Sequence, residues 1–510
     1  MRDMRLKIPG CGLSGLMRSC FLSFLLGCVI SSVGCSSMNN SGEGGNGGGN
    51  PNPVPSISSI TPPNATAGSG NLTVAVGGEG FLSTSTVEWN GSPLTTTLNG
   101  NQLNATITAA DIATVGGAQI TVMNPSPGGG PSNPAGFAII GTEAGPTPGY
   151  AYVSNDFEGT IAAFSIDPTT GSLTSVPGSP FPVPGAPFSP GSGPQALTAD
   201  PAGKFLYIAN NPINTSSADD LPAFAIDASS GALSAVPGSP FTTGSLEAPV
   251  TLAVDSTGKF LYVADQDGNQ VSGNNISSFS VDSSTGALTS GAPAMCDALL
   301  TSGVVTDPVG PFVFASNSSG SVCSFSINSQ GALQLVGSPI NLGSLLITRA
   351  VGVDHFGKFV YVLTAPITAA LPLNIWAFGV SAEAGSLTAV SGSPFATGGT
   401  AGDPPFSIAS DPLGRFVYIS NFFDISGFSV NSSTGALTLL AGFPIATQVS
   451  VGVSAFVDPS GKFLYVANNV NETLSAYAID PTLGLLTPVP GSPYAAGSSP
   501  TGVTVTIKPQ

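Results

Sequence analysis

The sequence predicts an all-β protein: a seven-bladed β-propeller, closed by its C-terminal strand and preceded by a small immunoglobulin-like β-sandwich. Three observations support this fold class. The 510 residues contain 66 Gly and 45 Pro but only 8% charged residues, which favours short strands and tight turns over surface helices. From Gly149 onward a unit of about fifty residues recurs, as propeller blades do. Before it lie short, alternating apolar segments typical of a sandwich.

Residues 1–35 predict an export signal. Four cations, Arg2, Arg5, Lys7 and Arg18, precede the apolar run CFLSFLLGCVISSVGC, which is too short to span a bilayer comfortably. This layout resembles a bacterial lipoprotein signal, in which lipid is attached to a cysteine after a small residue. Cys28 (in LLGC) and Cys35 (in SVGC) both fit, and a plain secretory signal is the alternative. We therefore expect a periplasmic protein or an outer-membrane or cell-surface lipoprotein, in contact with the membrane through its lipid only.

Residues 36–53 predict a flexible Gly/Asn-rich tether. Beyond residue 34, seven Lys/Arg face 27 Asp/Glu, because four of the 11 cations and one of the 28 acids lie earlier. A surface this acidic repels phosphate backbones, so we expect no nucleic-acid partner.

Residues 54–141 contain about seven short strand-like segments separated by Pro/Gly-rich turns, which predicts a β-sandwich. The segment VEWNGSPL and the string VMNPSPGGGPSNP resemble an IPT/TIG domain. The resemblance implies an immunoglobulin-like module for spacing or binding rather than catalysis. A linker over 142–148 leads to the repeats of 149–510.

Each repeat contains a strand of the form Phe-Leu-Tyr-Val-Ala-Asn, and a second strand ending in a turn such as DPTTG follows it. The aromatic residues at the centre of the first of these strands are Tyr152, Tyr207, Tyr262, Phe314, Tyr361, Tyr418 and Tyr465. A further strand precedes the turn Asp-Pro-x-Gly-Lys-Phe, which occurs only six times. The last segment, SSPTGVTVTIKPQ, supplies the seventh copy, so we expect it to complete the first blade and remove the open sheet edges.

Loops at the opposite face from the Asp-x-x-Gly turns converge on the propeller axis and predict a polar, acidic mouth. Turn capping is the alternative role for each asparagine. The candidate binding residues are Asn155, Asp156, Glu158, Asn210, Asp265, Asp267, Asn317, Asn421, Asn468 and Glu472.

No cofactor is expected from the sequence. Asp265, Asp267 and Asn269 alternate oxygen side chains as calcium loops do, but Ile276 stands where an EF-hand needs Glu, so the calcium site is a weak candidate. Cys296 and Cys323 could form a disulfide, although the sequence does not show whether they are close enough.

The repeats resemble the seven-bladed lactonase family, related to 6-phosphogluconolactonase and YVTN-repeat proteins. The resemblance implies an arginine, a histidine and a glutamate at the mouth. Arg349 fits the arginine, whereas Ala350 and Ala365 stand where the histidine and glutamate would be. The single histidine, His355, lies in a turn on the far face.

The sequence therefore favours one function and leaves a second as the alternative. The first is a propeller that binds an unknown small-molecule, carbohydrate or protein ligand without catalysis. The alternative is a lactone hydrolase in which Arg349 polarises the carbonyl and a carboxylate acts as base, with Asp297, Asp403 and Asp424 nearest along the chain.

Overall fold

The composition is rich in turn-forming residues, and the apolar segments are short. Accordingly, strands are the only regular secondary structure among the residues that the structure describes. The structure, a computed structural model, describes residues 51–62, 64–66, 68–113, 116–140, 148–184, 193–210, 221–243, 249–265, 276–296, 301–343, 346–366, 373–399, 404–446 and 452–507. Within these ranges, no helix is long and apolar enough to cross a membrane.

The first ten strands form two facing sheets, as the alternating pattern of residues 54–141 predicts. The first sheet has the order β1-β3-β7-β6; the second has β2-β10-β8-β4-β5, with β9 on β8. The strands are β1 (Ser56–Thr61), β2 (Asn64–Thr66), β3 (Leu72–Glu79), β4 (Thr86–Trp89), β5 (Ser92–Pro93), β6 (Thr95–Asn99), β7 (Gln102–Ile107), β8 (Gly116–Asn124), β9 (Gly130–Pro131) and β10 (Ala135–Ile140). Trp89 packs edge-on against Phe137 in the core between them, at 5.2 Å between ring centroids.

Seven four-stranded antiparallel sheets follow, and we number them blades 1 to 7. The innermost strands, for blades 2 to 7 and then blade 1, are β15 (Pro194–Ala199), β19 (Pro249–Val254), β23 (Thr301–Thr306), β28 (Leu346–Val353), β33 (Pro405–Ser410), β38 (Gly452–Val457) and β43 (Pro500–Ile507).

The second strands carry the repeated aromatic residue, which is fully buried in every blade. They are β11 (Pro148–Asn155), β16 (Phe205–Asn210), β20 (Phe260–Asp265), β24 (Phe312–Asn317), β29 (Phe359–Pro366), β34 (Phe416–Asn421) and β39 (Phe463–Asn468).

The third and fourth strands complete each blade. The third strands are β12 (Thr160–Ile166), β17 (Ala223–Ile226), β21 (Ile276–Val281), β25 (Ser321–Ile327), β30 (Asn374–Val380), β35 (Asp424–Val430) and β40 (Thr473–Ile479). The fourth strands are β13 (Leu173–Ser175), β18 (Leu233–Ala235), β22 (Leu288–Ser290), β26 (Leu333–Leu335), β31 (Leu387–Ala389), β36 (Leu437–Leu439) and β41 (Leu486–Pro488).

In five blades a two-residue strand also pairs with the third strand. These strands are β14 (Phe181–Pro182), β27 (Ile340–Asn341), β32 (Phe395–Ala396), β37 (Ile445–Ala446) and β42 (Tyr494–Ala495).

The C-terminal strand closes the propeller, as the missing first inner strand predicts. β43 pairs antiparallel with β11, with Val503 opposite Val153 and Val505 opposite Ala151. Val503 and Val505 are buried together with Tyr465 of blade 7, so the last strand joins the first blade to the seventh. β43 thereby covers the edge of β11, which would otherwise be open.

The Asp-x-x-Gly-Lys-Phe turns join inner and second strands at one face of the propeller, which we call the far face. In blade 3 the buried Asp255 carboxylate accepts hydrogen bonds from the Lys259 and Phe260 amides, at 2.8 and 2.7 Å. Gly258 adopts a φ of 71°, in the left-handed region that favours glycine. The repeated aspartate is therefore explained by turn structure.

A repeated contact joins neighbouring blades near the far face. The Tyr152 hydroxyl donates to the Gly231 carbonyl of the next blade at 3.0 Å, and Tyr465 donates to Gly171 of blade 1 at the same distance. A Cβ on Gly171 would lie 2.3 Å from a ring carbon of Phe463, so this turn must keep glycine to let the blades approach.

Cys296 and Cys323 form a disulfide, with their Cα atoms 5.5 Å apart. Cys296 follows the fourth strand of blade 3 and Cys323 lies on β25 of blade 4. The pairing that the sequence leaves open therefore links two adjacent blades.

Candidate functional site

Every inner strand begins with a β-bulge at the mouth, where one residue has no partner on the second strand. In blade 5, for example, Thr348 pairs with Thr364 and Ala350 with Leu363, which leaves Arg349 as the extra residue. A bulge re-aims the side chain it carries. The seven extra residues, which we call the bulge ring, are Gln195, Val250, Ser302, Arg349, Phe406, Val453 and Thr501.

The inner strands pack directly against one another, so the bulge ring surrounds the propeller axis. A Cβ on Gly352 of blade 5 would lie 2.9 Å from Ile408 of blade 6, and one on Gly502 of blade 1 would lie 2.7 Å from Leu197 of blade 2. Hydroxyls join other neighbours, since Ser407 accepts the Ala455 amide at 3.2 Å. One ionisable side chain, Arg349, lies among six neutral ring members.

Arg349 is exposed, and it forms no ion pair with any residue in the described ranges. The preceding Thr348 is buried and donates to the Asn317 carbonyl of blade 4 at 2.7 Å. Its hydroxyl also bonds Ser302, the bulge residue of blade 4. This network holds the bulge of blade 5 against blade 4.

The asparagines of the predicted mouth end the second strands and are buried. The Asn155 amide donates to the Ala496 carbonyl at 2.8 Å, and the Asn421 amide donates to Ser426 at 2.9 Å. Asn468 donates to Thr473 and Ser475, and the Asn317 oxygen accepts the Ser319 and Ser321 amides. These bonds give the four asparagines a structural role, within the blade for Asn317, Asn421 and Asn468 and between blades 1 and 7 for Asn155; a binding role stays a prediction.

Several polar atoms at this level are buried and have no hydrogen-bond partner among the described residues. Asn210 leaves both side-chain atoms unpartnered, and Asn155 and Asn468 each leave the oxygen. Thr301 and Asn317, directly opposite each other in blade 4, leave a hydroxyl and an amide nitrogen. Buried polar groups of this kind are typical sites of ordered water.

The described acidic candidates have separate hydrogen-bond partners or none that is shared. Asp156 accepts the Gly193 amide at 2.7 Å, the exposed Glu158 accepts the Ser498 hydroxyl at 3.0 Å, and Glu472 is exposed on blade 7. Asp265 is buried and accepts the Ser277 hydroxyl at 2.6 Å. Within the described ranges, no group of three His, Cys, Asp or Glu residues could hold a metal ion.

Four candidates lie outside the described residues. They are Asp267 and Asn269 of the possible calcium loop and the carboxylates Asp297 and Asp403. Cys28 and Cys35 also lie outside them.

Sequence reasoning missed an aromatic cluster on blade 6. Phe406, the bulge residue next to Arg349 around the ring, has its ring centroid 6.1 Å from that of Phe422, and Phe422 lies 4.6 Å from Phe423. Phe406 and Phe422 are half-buried, and Phe423 is 54% exposed. The residue directly after the strand-end asparagine is Asp or Asn in blades 1, 2 and 7 but Phe422 in blade 6, and the dipeptide Phe422-Phe423 is the signal that could have found the cluster.

Four described residues bear on whether a general base stands near Arg349. Ala350 and the buried Ala365 hold the positions where the family resemblance implies histidine and glutamate. His355 is exposed in the far-face turn, with its ring 5.8 Å from Phe356. Asp424 is buried and accepts the Asn421 amide at 2.6 Å, which orients it within blade 6.

A cavity of about 480 Å³ lies at the far face, lined by Asp354, Lys358, Arg415 and the sandwich residue Phe137 among others. Its cations are already engaged: Arg415 pairs with Asp411 at 2.7 Å, and the Lys358 ammonium lies 5.7 Å from the centre of the Phe356 ring. The cavity lies at the opposite end of the blades from the bulge ring. Because its cations already have partners, we place the candidate site at the mouth.

Comparisons with known proteins agree with this architecture. Three solved structures each resemble 71% of this chain. A provisionally assigned 6-phosphogluconolactonase from Bacteroides fragilis is 20% identical over 98% of its own chain, with a TM-score of 0.55. Another from Bacteroides uniformis is 18% identical over its full chain, with a TM-score of 0.54. The periplasmic gluconolactonase PpgL of Pseudomonas aeruginosa is 18% identical over 99% of its chain, with a TM-score of 0.55.

At these identities the structures show a shared fold. No protein with curated annotation matches the chain. The family profile described as lactonase, 7-bladed beta-propeller, matches residues 143–296 and 371–505, leaving between them the segment that contains Arg349, Ala350 and Ala365. The match covers more than half of the sequence, and the chain therefore belongs to the lactonase family of seven-bladed β-propellers.

Proposed function

We propose that this protein binds a small organic anion at the propeller mouth and does not hydrolyse it. The observation that carries the proposal is Arg349, an exposed guanidinium on a bulge, without a partner among the described residues and flanked by Ala350 where a base would stand. A guanidinium presents paired donors that match a carboxylate.

Binding without hydrolysis follows from what an arginine can do. It can stabilise a negative charge or polarise a carbonyl, but it stays charged and cannot take a proton from water. Hydrolysis would need a base within hydrogen-bond reach. Alanine at positions 350 and 365 removes the two groups that the family resemblance implies for that task.

A lactone hydrolase is the second candidate. Membership of the lactonase family favours it, as do structural neighbours named as a 6-phosphogluconolactonase and a gluconolactonase. In this case a carboxylate such as Asp297 or Asp403 would act as base beside Arg349.

Two measurements on purified protein decide between the candidates. We expect hydrolysis of gluconolactone and 6-phosphogluconolactone at no more than the spontaneous rate. We expect calorimetry with a panel of small carboxylates to show binding that Arg349→Ala removes and that Lys358→Ala, a loss of charge at the far face, retains. Enzymatic turnover that Arg349→Ala abolishes, in a variant that still folds, would establish the hydrolase instead.

We also propose that the propeller is displayed on a lipid tether, with the sandwich as an IPT/TIG-type spacer. The basic N-terminus, the LLGC and SVGC strings and the sandwich sequence support this arrangement. Replacing both Cys28 and Cys35 by Ser should release the protein from membranes, and a double variant that still sediments with them would refute lipid anchoring.

A further inference from the structure

We propose that the ligand of this site is a small aromatic carboxylate, held by Arg349 at its acid group and by the blade 6 phenylalanine cluster at its ring. The inference rests on the proposed anion site and deepens it by specifying the chemical class. The cluster consists of Phe406, Phe422 and Phe423, and none of them belongs to the positions that the family resemblance singles out.

The cluster is built into the mouth. Phe406 occupies the bulge of β33, and the backbone amide of Phe422 donates to the Pro404 carbonyl at 3.1 Å, which ties the loop after β34 to the start of that inner strand. The Phe422 and Phe423 rings meet edge to face at 78°, an arrangement that aromatic rings prefer. Phe423 is 54% exposed, so the cluster presents apolar surface at the mouth.

Arg349 and Phe406 occupy equivalent positions on adjacent inner strands. The two strands are in close contact just beyond the bulges, because a Cβ on Gly352 would lie 2.9 Å from Ile408. An anionic group on Arg349 would therefore place the remainder of a small ligand beside the phenylalanines. The guanidinium favours a ligand with a negative charge, and the phenylalanine rings determine which kind of group can be attached to that charge.

The chemistry of the cluster favours an aromatic ring over a polyhydroxylated one. Phenylalanine has no hydrogen-bonding atom, so hydroxyls buried against it would lose their water without replacement. A second aromatic ring gains both apolar burial and an edge-to-face or offset contact. The next bulge residue, Val453, is also apolar and extends the same side of the ring.

The test is calorimetric titration of the folded protein with phenylacetate and 4-hydroxycinnamate, and with gluconate as a carboxylate that lacks an aromatic ring. We expect the aromatic acids to bind at least about tenfold more tightly than gluconate, since one aromatic pair and its burial are worth about 1–2 kcal/mol. Phe406→Ala should weaken the aromatic acids about tenfold without weakening gluconate. Phe406→Leu, which keeps the apolar volume, should have a smaller effect and guards against loss of folding.

Phe157→Ala is the matched control, because Phe157 is 58% exposed at a blade 1 loop on the same face but lies outside the cluster. An equal loss in Phe157→Ala and Phe406→Ala would overturn the inference. Gluconate binding that depends on Arg349, together with no preference for the aromatic acids, would refute the ligand class and leave the anion site intact. Failure of every carboxylate to bind would refute both.

Discussion

Single tyrosine hydroxyl groups join five of the seven pairs of neighbouring blades, and blades 4 and 5 are the exceptions. Blade 4 has Phe314 in place of tyrosine and lacks the hydroxyl; there Ser324 of the adjacent strand donates to the Gly385 carbonyl of blade 5 at 2.6 Å. Blade 5 keeps Tyr361, but its hydroxyl is buried and has no hydrogen-bond partner among the described residues. Burial raises the pKa of Tyr361 well above its ordinary value, as it does for Tyr207, so both remain neutral.

The contrast between bonded and unbonded tyrosine hydroxyls predicts different effects of Tyr→Phe substitutions on the free energy of unfolding. Tyr207 donates to the Gly286 carbonyl at 3.1 Å and is fully buried, so Tyr207→Phe leaves that carbonyl unpaired and should lower the free energy of unfolding by about 1 kcal/mol. Tyr361→Phe removes a hydroxyl without a partner and should leave stability unchanged or raise it. Chemical denaturation of both variants checks this; equal losses would mean that the hydroxyl bonds contribute nothing.

The turns between the third and fourth strands form the same hydrogen bonds in different blades with different residues. In blade 2 the Asp227 carboxylate accepts the amides of Ser229 and Ser230 at 3.1 and 2.8 Å and both of their hydroxyls. These bonds, led by the Ser229 hydroxyl, lower the pKa of Asp227 to about 2. In blade 6 the neutral Asn431 accepts the Ser433 and Thr434 amides at 3.0 Å.

A pH dependence follows for blade 2. Because the folded pKa of Asp227 lies below its ordinary value of 3.8, its stabilising effect is present above that pH and is lost as the pH falls towards about 2. The melting temperature of Asp227→Asn should therefore lie below that of the wild type at pH 6 and approach it near pH 2. Asn431→Ala, the control, should lower the melting temperature by an amount that does not vary over this range. A constant gap for Asp227→Asn would contradict the prediction.

The propeller depends on the pairing of its first and last strands, β11 and β43. β43 forms the inner edge of blade 1, the Tyr150 amide donates to the Thr506 hydroxyl at 3.2 Å, and Val503 and Val505 fill the contact with blade 7. The disulfide between Cys296 and Cys323 strengthens one interface between blades, but it does not replace this closure.

Truncation after Ser499 should therefore lower the melting temperature, broaden the transition and promote aggregation, because it exposes the edge of β11 and removes two buried valines. Deletion of residues 508–510 alone, which leaves β43 complete, should change little. Scanning calorimetry and light scattering report both effects; a long truncation that melts like the wild type would mean that closure does not hold the blades together.

The sequence by itself determined the number of blades, the turn chemistry and the closing strand, because each follows from a local pattern repeated at a fixed period. The sequence also picked out Arg349, but the surroundings of that residue were decided by the tertiary structure. The strand-end asparagines are predicted mouth ligands in the sequence, and in the structure their side chains are buried, with Asn421 and Asn468 bonded within their own blades and Asn155 also bonded to blade 7. The bulge ring depends on a one-residue register shift between paired strands. Arg349 and Phe406, 57 positions apart, lie on neighbouring inner strands because consecutive blades pack side by side. The pattern within a single strand does not encode such neighbours.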